Sequence, residues 1–381
     1  MAFRLLHLAD LHLDIAFSNS NSTPHLSQSR RSGLRDVLKR ALRIAREENV
    51  DAITLGGDLF ESERVTTDTA HFLRDQFAQL APMRVFIAPG NHDPFTLQSP
   101  YNYINWSSNV HIFREPRLTR VALTDDLDLW GAAHDSPSFF QPLLSNFELP
   151  DAKPALLLLH GTDARLTLGD DKRAFCPFSL ADIQRSGFSL ALLGHIHQHI
   201  LHPNATPLLC YPGSPEPLSF DQDGAHTVLL ADWDGQHWKV EPHPINEWLC
   251  KTVELDVTGL ASREQIVERV RGRFLERAEK KILLRVRLRG ALQSTLDLDL
   301  HALRAGIDDA FADVSFQDET APFFDYAALQ TEPTARGIFV KQLTRKMENA
   351  QRDGNWELQQ RLERALQLGL LALEGKEIPA P

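Results

Sequence analysis

Cysteine is scarce in this chain: Cys176, Cys210 and Cys250 are the only three in 381 residues, odd in number and widely spaced. That pattern builds neither a disulfide framework nor a thiolate metal site, and it fits a reducing compartment. No apolar run reaches the roughly 18 residues that cross a bilayer. Residues 1–10 lack a basic stretch followed by a long apolar one, so neither secretion nor membrane insertion is expected, and a cytoplasmic location is. Basic residues are outnumbered as well, 40 Lys and Arg against 51 Asp and Glu, a net charge of −11. A chain so charged does not hold nucleic acid by bulk electrostatics; such binding must be local or shared with a partner.

What is present supports more than one domain, since 43% hydrophobic content in 381 residues is enough for a substantial core and a second unit. Residues 3–9 read as a buried strand. An Asn/Ser-rich loop over 18–29 precedes a helix over 30–48 with its stripe at Leu34, Val37, Leu38, Ala41, Leu42 and Ala45. A second strand, 51–55, runs into Gly56-Gly57-Asp58, and a second helix, 68–80, leads to a strand at 83–87. Further strands are expected at 110–113, 127–133, 155–159, 190–193, 208–211 and 227–232. Helices are expected at 137–146 and 179–185, around a charged loop containing Gly169. Strands alternating with helices indicate an α/β sandwich over 1–245. Residues 246–320 read as a small β-α-β-α-β unit, and 334–375 as a helical hairpin broken at Asp353-Gly354-Asn355. The hairpin either packs on its own chain or docks a partner.

Five strand-like runs end in metal-type side chains: Asp10-x-His12, Gly57-Asp58, Gly90-Asn91-His92-Asp93, His160 and Gly194-His195-x-His197. One such ending is a turn with good local hydrogen bonding; five are a constellation. Asp10, His12, Asp58, Asn91, His160, His195 and His197 make seven oxygen and nitrogen donors, too many for one tetrahedral ion and suited to two octahedral-type ions sharing a carboxylate. Asp58, a lone carboxylate in a Gly-rich turn, is the natural bridge. A donor set without thiolate suits manganese, iron or zinc. Two ions about 3.5–4 Å apart activate water, neutralise phosphate oxygens and fix an in-line geometry, which phosphoester hydrolysis needs together. His92, beside the ligand Asn91, is placed to protonate a leaving oxygen; Asp93 reads as the residue that orients its loop.

These five blocks resemble the signature segments of the calcineurin-like metallophosphoesterases. The runs Leu6-His7-Leu8-Ala9-Asp10-Leu11-His12-Leu13, Gly57-Asp58-Leu59-Phe60 and Tyr211-Pro212-Gly213-Ser214 are similar to its DNA repair exonuclease branch, the SbcD and YhaO group. The resemblance implies a four-layer α-β-β-α sandwich, a di-manganese centre, and a small α+β cap domain that helps admit DNA. It also implies an SbcC-like coiled-coil ATPase docked on helices near the carboxyl terminus, where this chain has its hairpin; a homodimer is a further candidate assembly. One position departs from the branch: several of its nucleases carry a histidine three residues after the bridging aspartate, and here Glu61 stands there. That departure bears on the exonucleolytic mode and not on the metal site.

The expected activity is thus a metal-dependent DNA exonuclease, with endonuclease action as a second mode. From Arg263 to Arg289 there are ten Lys and Arg against four Asp and Glu, and Arg285, Arg287 and Arg289 alternate along one strand onto one face. That face either tracks phosphates or is a solvated sheet surface. A phosphodiesterase or nucleotidase for a small nucleotide is the alternative function, and a scaffold without activity is a third.

Overall fold

The computed structural model describes residues 2–17, 23–166, 174–203, 206–274, 281–292, 296, 298–307, 311–373 and 375. The expected charged loop around Gly169 lies outside them. In chain order the elements begin β1 (Phe3–Leu8), α1 (Pro24–Glu47), β2 (Ala52–Leu55), α2 (Thr67–Ala78), β3 (Arg84–Ile87), α3 (Pro100–Tyr103), β4 (Val110–Ile112), β5 (Thr119–Thr124) and β6 (Leu127–Gly131). They continue with β7 (Ala155–His160), α4 (Leu180–Ser186), β8 (Leu190–Gly194), β9 (Ile200–His202), β10 (Leu209–Tyr211), β11 (Thr227–Trp233), β12 (Trp238–Pro244) and β13 (Leu249–Asp256). The last are α5 (Arg263–Phe274), β14 (Ile282–Arg289), β15 (Ala291–Leu292), α6 (Leu300–Ala305), β16 (Asp313–Asp318), β17 (Ala321–Pro322), α7 (Tyr326–Leu329), α8 (Ala335–Arg352) and α9 (Trp356–Leu373).

Two six-stranded mixed sheets, ordered β12-β11-β1-β2-β3-β4 and β5-β6-β7-β8-β10-β9, carry the first part of the chain. Their central strands are apolar on both faces, and alternation assigns each side chain to a layer. Leu5, Phe86, Leu129, Leu156, Leu158, Leu190 and Leu192 fill the space between the sheets. Leu6, Leu8, Ile53, Leu55, Val85 and Ile87 turn the other way, onto Leu34, Val37, Leu38 and Leu42 of α1 and Leu73 and Phe77 of α2. Behind the second sheet, Leu157, Leu159, Ala191 and Leu193 pack with Ile183 of α4, Phe139 and Leu144. The result is the expected α/β sandwich, helix-sheet-sheet-helix.

Two local expectations change. The first helix starts at Pro24, not near residue 30, because Thr23 accepts the Leu26 N–H as an N-cap and proline fits the first helical turn. Residues 137–146 form turns and no helix, since Pro137 and Pro142 interrupt the backbone ladder while Phe139 and Leu144 still reach the core.

The chain divides into one compact unit of 1–253, 272–286 and 304–317, and another of 254–271, 287–303 and 318–381. β13, β14 and β16 form a three-stranded sheet in the order β13-β14-β16. Within the second unit, α8 and α9 pair through Val340, Leu366 and Leu370, with Leu329, Phe339 and Leu343 against them. The hairpin therefore buries most of its own stripe, while Ile338, Trp356, Leu358 and Leu373 stay exposed. Among the described residues no helix is long and apolar enough to cross a membrane.

Candidate metal centre

The chemistry-bearing side chains follow the ends of parallel strands. β1 leads into Asp10 and His12, β2 into Asp58, β3 into Asn91 and His92, β7 ends on His160, and β8 precedes His195 and His197. Four of these residues have left-handed backbones: Asp10 at φ 54°, His12 at 50°, Asp58 at 53° and His195 at 101°. Such conformations cost on the order of 1–3 kcal/mol each and persist where surrounding structure enforces them. Here the enforcement is the two packed sheets.

Asp58 is buried at the middle. Its Oδ2 stands 3.3 Å from His160 Nε2 and 3.7 Å from His12 Nε2. On one side Asp10, His12 and His197 gather with ligand atoms within 4.8 Å of one another, and on the other Asp58, His160 and His195 do the same. Asn91 Oδ1 lies 3.0 Å from His160 Nε2, which places it with the second group. His12 Nε2 faces His197 Nε2 at 3.2 Å. The Nε2 atoms of His12, His160 and His197 converge on the buried Asp58 and Asp10 carboxylates, and this nitrogen and oxygen donor set fits two ions with Asp58 in common.

The outer contacts hold this arrangement. His12 Nδ1–H donates to Glu61 Oε1 at 2.7 Å, and His160 Nδ1–H donates to the Gly56 carbonyl at 2.8 Å. Both bonds turn Nε2 toward Asp58, as outer partners do around metal-binding imidazoles. The Gln222 amide meets His197 Nδ1 at 2.7 Å. Asp93 is fully buried and accepts from the backbone N–H groups of Asp58, Leu59 and Gly90 and from the Tyr101 hydroxyl, tying two ligand loops together. At Gly90 any Cβ would collide with Asp58 Oδ1, so this approach requires glycine.

The protonation pattern follows from burial against charge. Burial alone would raise Asp58, but His160, His12 and His92 outweigh it and hold the carboxyl well below the usual range. His160, disfavoured as a cation by burial, is lifted to about 9 by Asp58 and Asp10. Asp10 is pushed up to about 7 by burial, against the pull of His160. Burial, with His160 nearby, takes His195 down to about 3. His92, half exposed, is raised to about 9, first by its hydrogen bond to Glu61. Burial would raise Glu61, but the bonds from His12 and His92 outweigh it and hold the carboxyl at about 2.

All seven expected ligands and His92 thus come together. Glu61 is what sequence reading missed: it was visible only as a departure at one position, whereas it joins His12 and His92. Gln222, Tyr101 and His134, whose Nε2–H donates to the His160 carbonyl at 2.8 Å, gave no signal at all. Arg287 and Arg289 pair with Glu319 at 3.5 and 3.0 Å, Arg289 also with Glu254, and Arg285 lies over the Phe220 ring at 4.2 Å.

The family model described as calcineurin-like phosphoesterase matches residues 3–199, the span that carries all seven candidate ligands. The chain is similar to the uncharacterized metallophosphoesterase YhaO of Bacillus subtilis, 26% identical over 321 residues that cover 78% of this chain and 76% of that one. It is also similar to the DNA double-strand break repair protein Mre11 of Methanopyrus kandleri, 25% identical over 297 residues, 70% of this chain and 62% of that one. A solved structure of a dimetal phosphatase from Danio rerio covers 64% of this chain and 97% of its own at 11% identity, with a TM-score of 0.41.

Proposed function

The chain belongs to the calcineurin-like phosphoesterase family, hydrolases of phosphoester bonds, and we propose that its substrate is DNA, cut as an exonuclease with an endonucleolytic second mode. The observation that carries the hydrolytic reading is Asp58 Oδ2, set between His160 Nε2 at 3.3 Å and His12 Nε2 at 3.7 Å, so that two ligand groups share one carboxylate. Asp10, His12 and His197 would hold one ion, and Asn91, His160 and His195 the other, with Asp58 common to both. Manganese is the proposed metal. When bound, such ions supply Lewis acidity, which makes water a nucleophile at neutral pH and neutralises phosphate charge.

The chain's own part in the step is proton placement. Water loses one proton to solvent as its oxygen adds to phosphorus, the ester P–O bond opposite breaks, and the leaving oxygen takes a proton from His92, which solvent then restores. His92 is held through Nδ1 by Glu61 at 2.9 Å, which leaves Nε2–H as the donor to that oxygen. The product is a monoester and an alcohol.

DNA as substrate is supported by the similarity to the Mre11 protein of Methanopyrus kandleri. The segment 246–320 serves in this reading as a cap and the hairpin over 334–375 as the docking segment for an SbcC-like coiled-coil ATPase; a homodimer and a cytoplasmic location belong to the same proposal. The competing substrate, a small nucleotide, is favoured by the ion pairs that occupy Arg287 and Arg289. Hydrolysis of linear duplex, single-stranded DNA and cyclic nucleotides by the manganese-loaded protein separates the two: turnover of the cyclic nucleotides alone would exclude the DNA reading.

A further inference from the structure

The outer partners of the imidazoles around Asp58 are not alike. His12 Nδ1–H donates to Glu61 Oε1 at 2.7 Å, and His160 Nδ1–H donates to the Gly56 carbonyl at 2.8 Å. An acceptor behind the ring keeps a proton on Nδ1 and lets Nε2 present a lone pair to a cation. His197 has the opposite arrangement, because the atom 2.7 Å from its Nδ1 is the amide nitrogen of Gln222. That amide is fixed the way it points: its Oε1 accepts from the Leu218 N–H at 2.8 Å and from the Ser214 hydroxyl at 3.0 Å. A backbone N–H donates in every state, so turning the amide over would set donor against donor.

An amide nitrogen donates and does not accept, so Nδ1 of His197 is the acceptor and the ring's proton sits on Nε2. That proton has a partner. His197 Nε2 stands 3.2 Å from His12 Nε2 and 3.9 Å from Asp10 Oδ1, and His12, whose Nδ1–H is committed to Glu61, accepts it at Nε2. Donation thus runs in one direction, from Leu218 through Gln222, His197 and His12 to Glu61. A backbone N–H fixes one end of the chain and a carboxylate the other.

We infer that Gln222 is a positioning residue that holds His197 in the tautomer unable to bind a cation through Nε2, and so lowers the affinity of the Asp10, His12 and His197 group for its ion. This rests on the two-ion reading above and adds to it what tunes one of the two ions. For His197 to bind, its proton moves from Nε2 to Nδ1 and the bond from the Gln222 amide is given up; the ring stays neutral throughout. Loading of that group then responds to metal over a higher concentration range than its donors alone would set.

The test uses the full chain with two variants, Gln222→Glu and Gln222→Met. The first keeps an acceptor for Leu218 and Ser214 and offers a second to Nδ1–H; the second keeps the length, donates nothing and adds no charge. Manganese titrations followed by calorimetry are expected to show one of two ions bound about tenfold tighter in Gln222→Glu, tighter by a smaller factor in Gln222→Met, and the other ion unchanged. Nitrogen NMR of the metal-free imidazoles, with the His197 signals assigned by their loss in His197→Gln, is expected to find Nδ1 unprotonated in the parent and protonated in Gln222→Glu. Tightening in Gln222→Glu with none in Gln222→Met is the effect of added charge and overturns the inference. So does weaker binding in Gln222→Glu, or a protonated Nδ1 in the parent. If the parent binds fewer than two manganese ions while the nitrogen signals and the tightening behave as expected, the two-ion reading fails and the role of Gln222 stands.

Discussion

Glu61 accepts a hydrogen bond from His92 Nδ1 at 2.9 Å with one carboxylate oxygen, and its other oxygen accepts from His12 Nδ1 at 2.7 Å. One side chain thus orients both the proposed proton donor and a proposed metal ligand. Glu61→Gln keeps the volume but can accept at only one position, so kcat should fall about 10- to 100-fold for an alkyl leaving group. The loss should shrink for nitrophenolate, which needs no proton. Equal losses for the two leaving groups would show that Glu61 does not act through His92.

His92→Ala should lower turnover about 10²- to 10⁴-fold while the protein still binds its metal, as expected of a proton donor. His195→Ala, by contrast, should lose metal from the second group. Metal content by atomic emission separates the two, and equal depletion in both variants would make His92 a ligand.

Metal uptake should release protons. Burial disfavours the His160 cation, yet Asp58 and Asp10 lift it to about 9, so at pH 7 its Nε2 must lose a proton before it can bind a cation. Affinity should therefore rise about tenfold per pH unit between pH 7, where Asp10 has also lost its proton, and pH 9, and then level off. The metal-free protein has the opposite dependence. The stability its His160 cation contributes is fully present below 6.5 and is lost as pH rises through 9. Calorimetry in buffers of different ionisation enthalpy counts the protons, and a pH-independent affinity would contradict the assignment.

Replacing Arg285, Arg287 and Arg289 with Gln tests whether that face tracks DNA. If it does, binding weakens and the salt slope falls by about 0.9 for each phosphate no longer neutralised, with small-diester hydrolysis intact. The ion pairs of Arg287 and Arg289 with Glu319 and Glu254 point toward the smaller effect. Unchanged DNA cutting at every salt concentration would make the strip a solvated sheet face.

Much of this was legible from residue order. Buried strands such as 155–159 are continuous apolar runs, and α1 shows its stripe from Leu34 to Ala45, so the sandwich follows from periodicity. The residues at the centre were legible because each closes such a run. The contacts that join them were not: Asp10 takes a hydrogen bond from the backbone of His195, 185 positions away. Nor were the positive φ angles of Asp10, His12, Asp58 and His195, which arise from packing and have no local sequence signal. Residues 137–146 misled because their apolar spacing mimics a helix, while prolines break the ladder. Glu61 shows the limit most plainly, since its role depends on two histidines 49 and 31 positions away.

Asp58 serving two ions is the claim on which the rest of the chemistry depends. Titrating parent and Asp58→Asn with manganese, following electron paramagnetic resonance and hydrolysis of bis-p-nitrophenyl phosphate together, tests it most directly. In the parent, activity should rise with an exchange-coupled manganese pair, two ions per chain, and Asp58→Asn should lose both the coupled signal and the turnover. Full hydrolysis at one ion per chain, without metal, or in Asp58→Asn would contradict it.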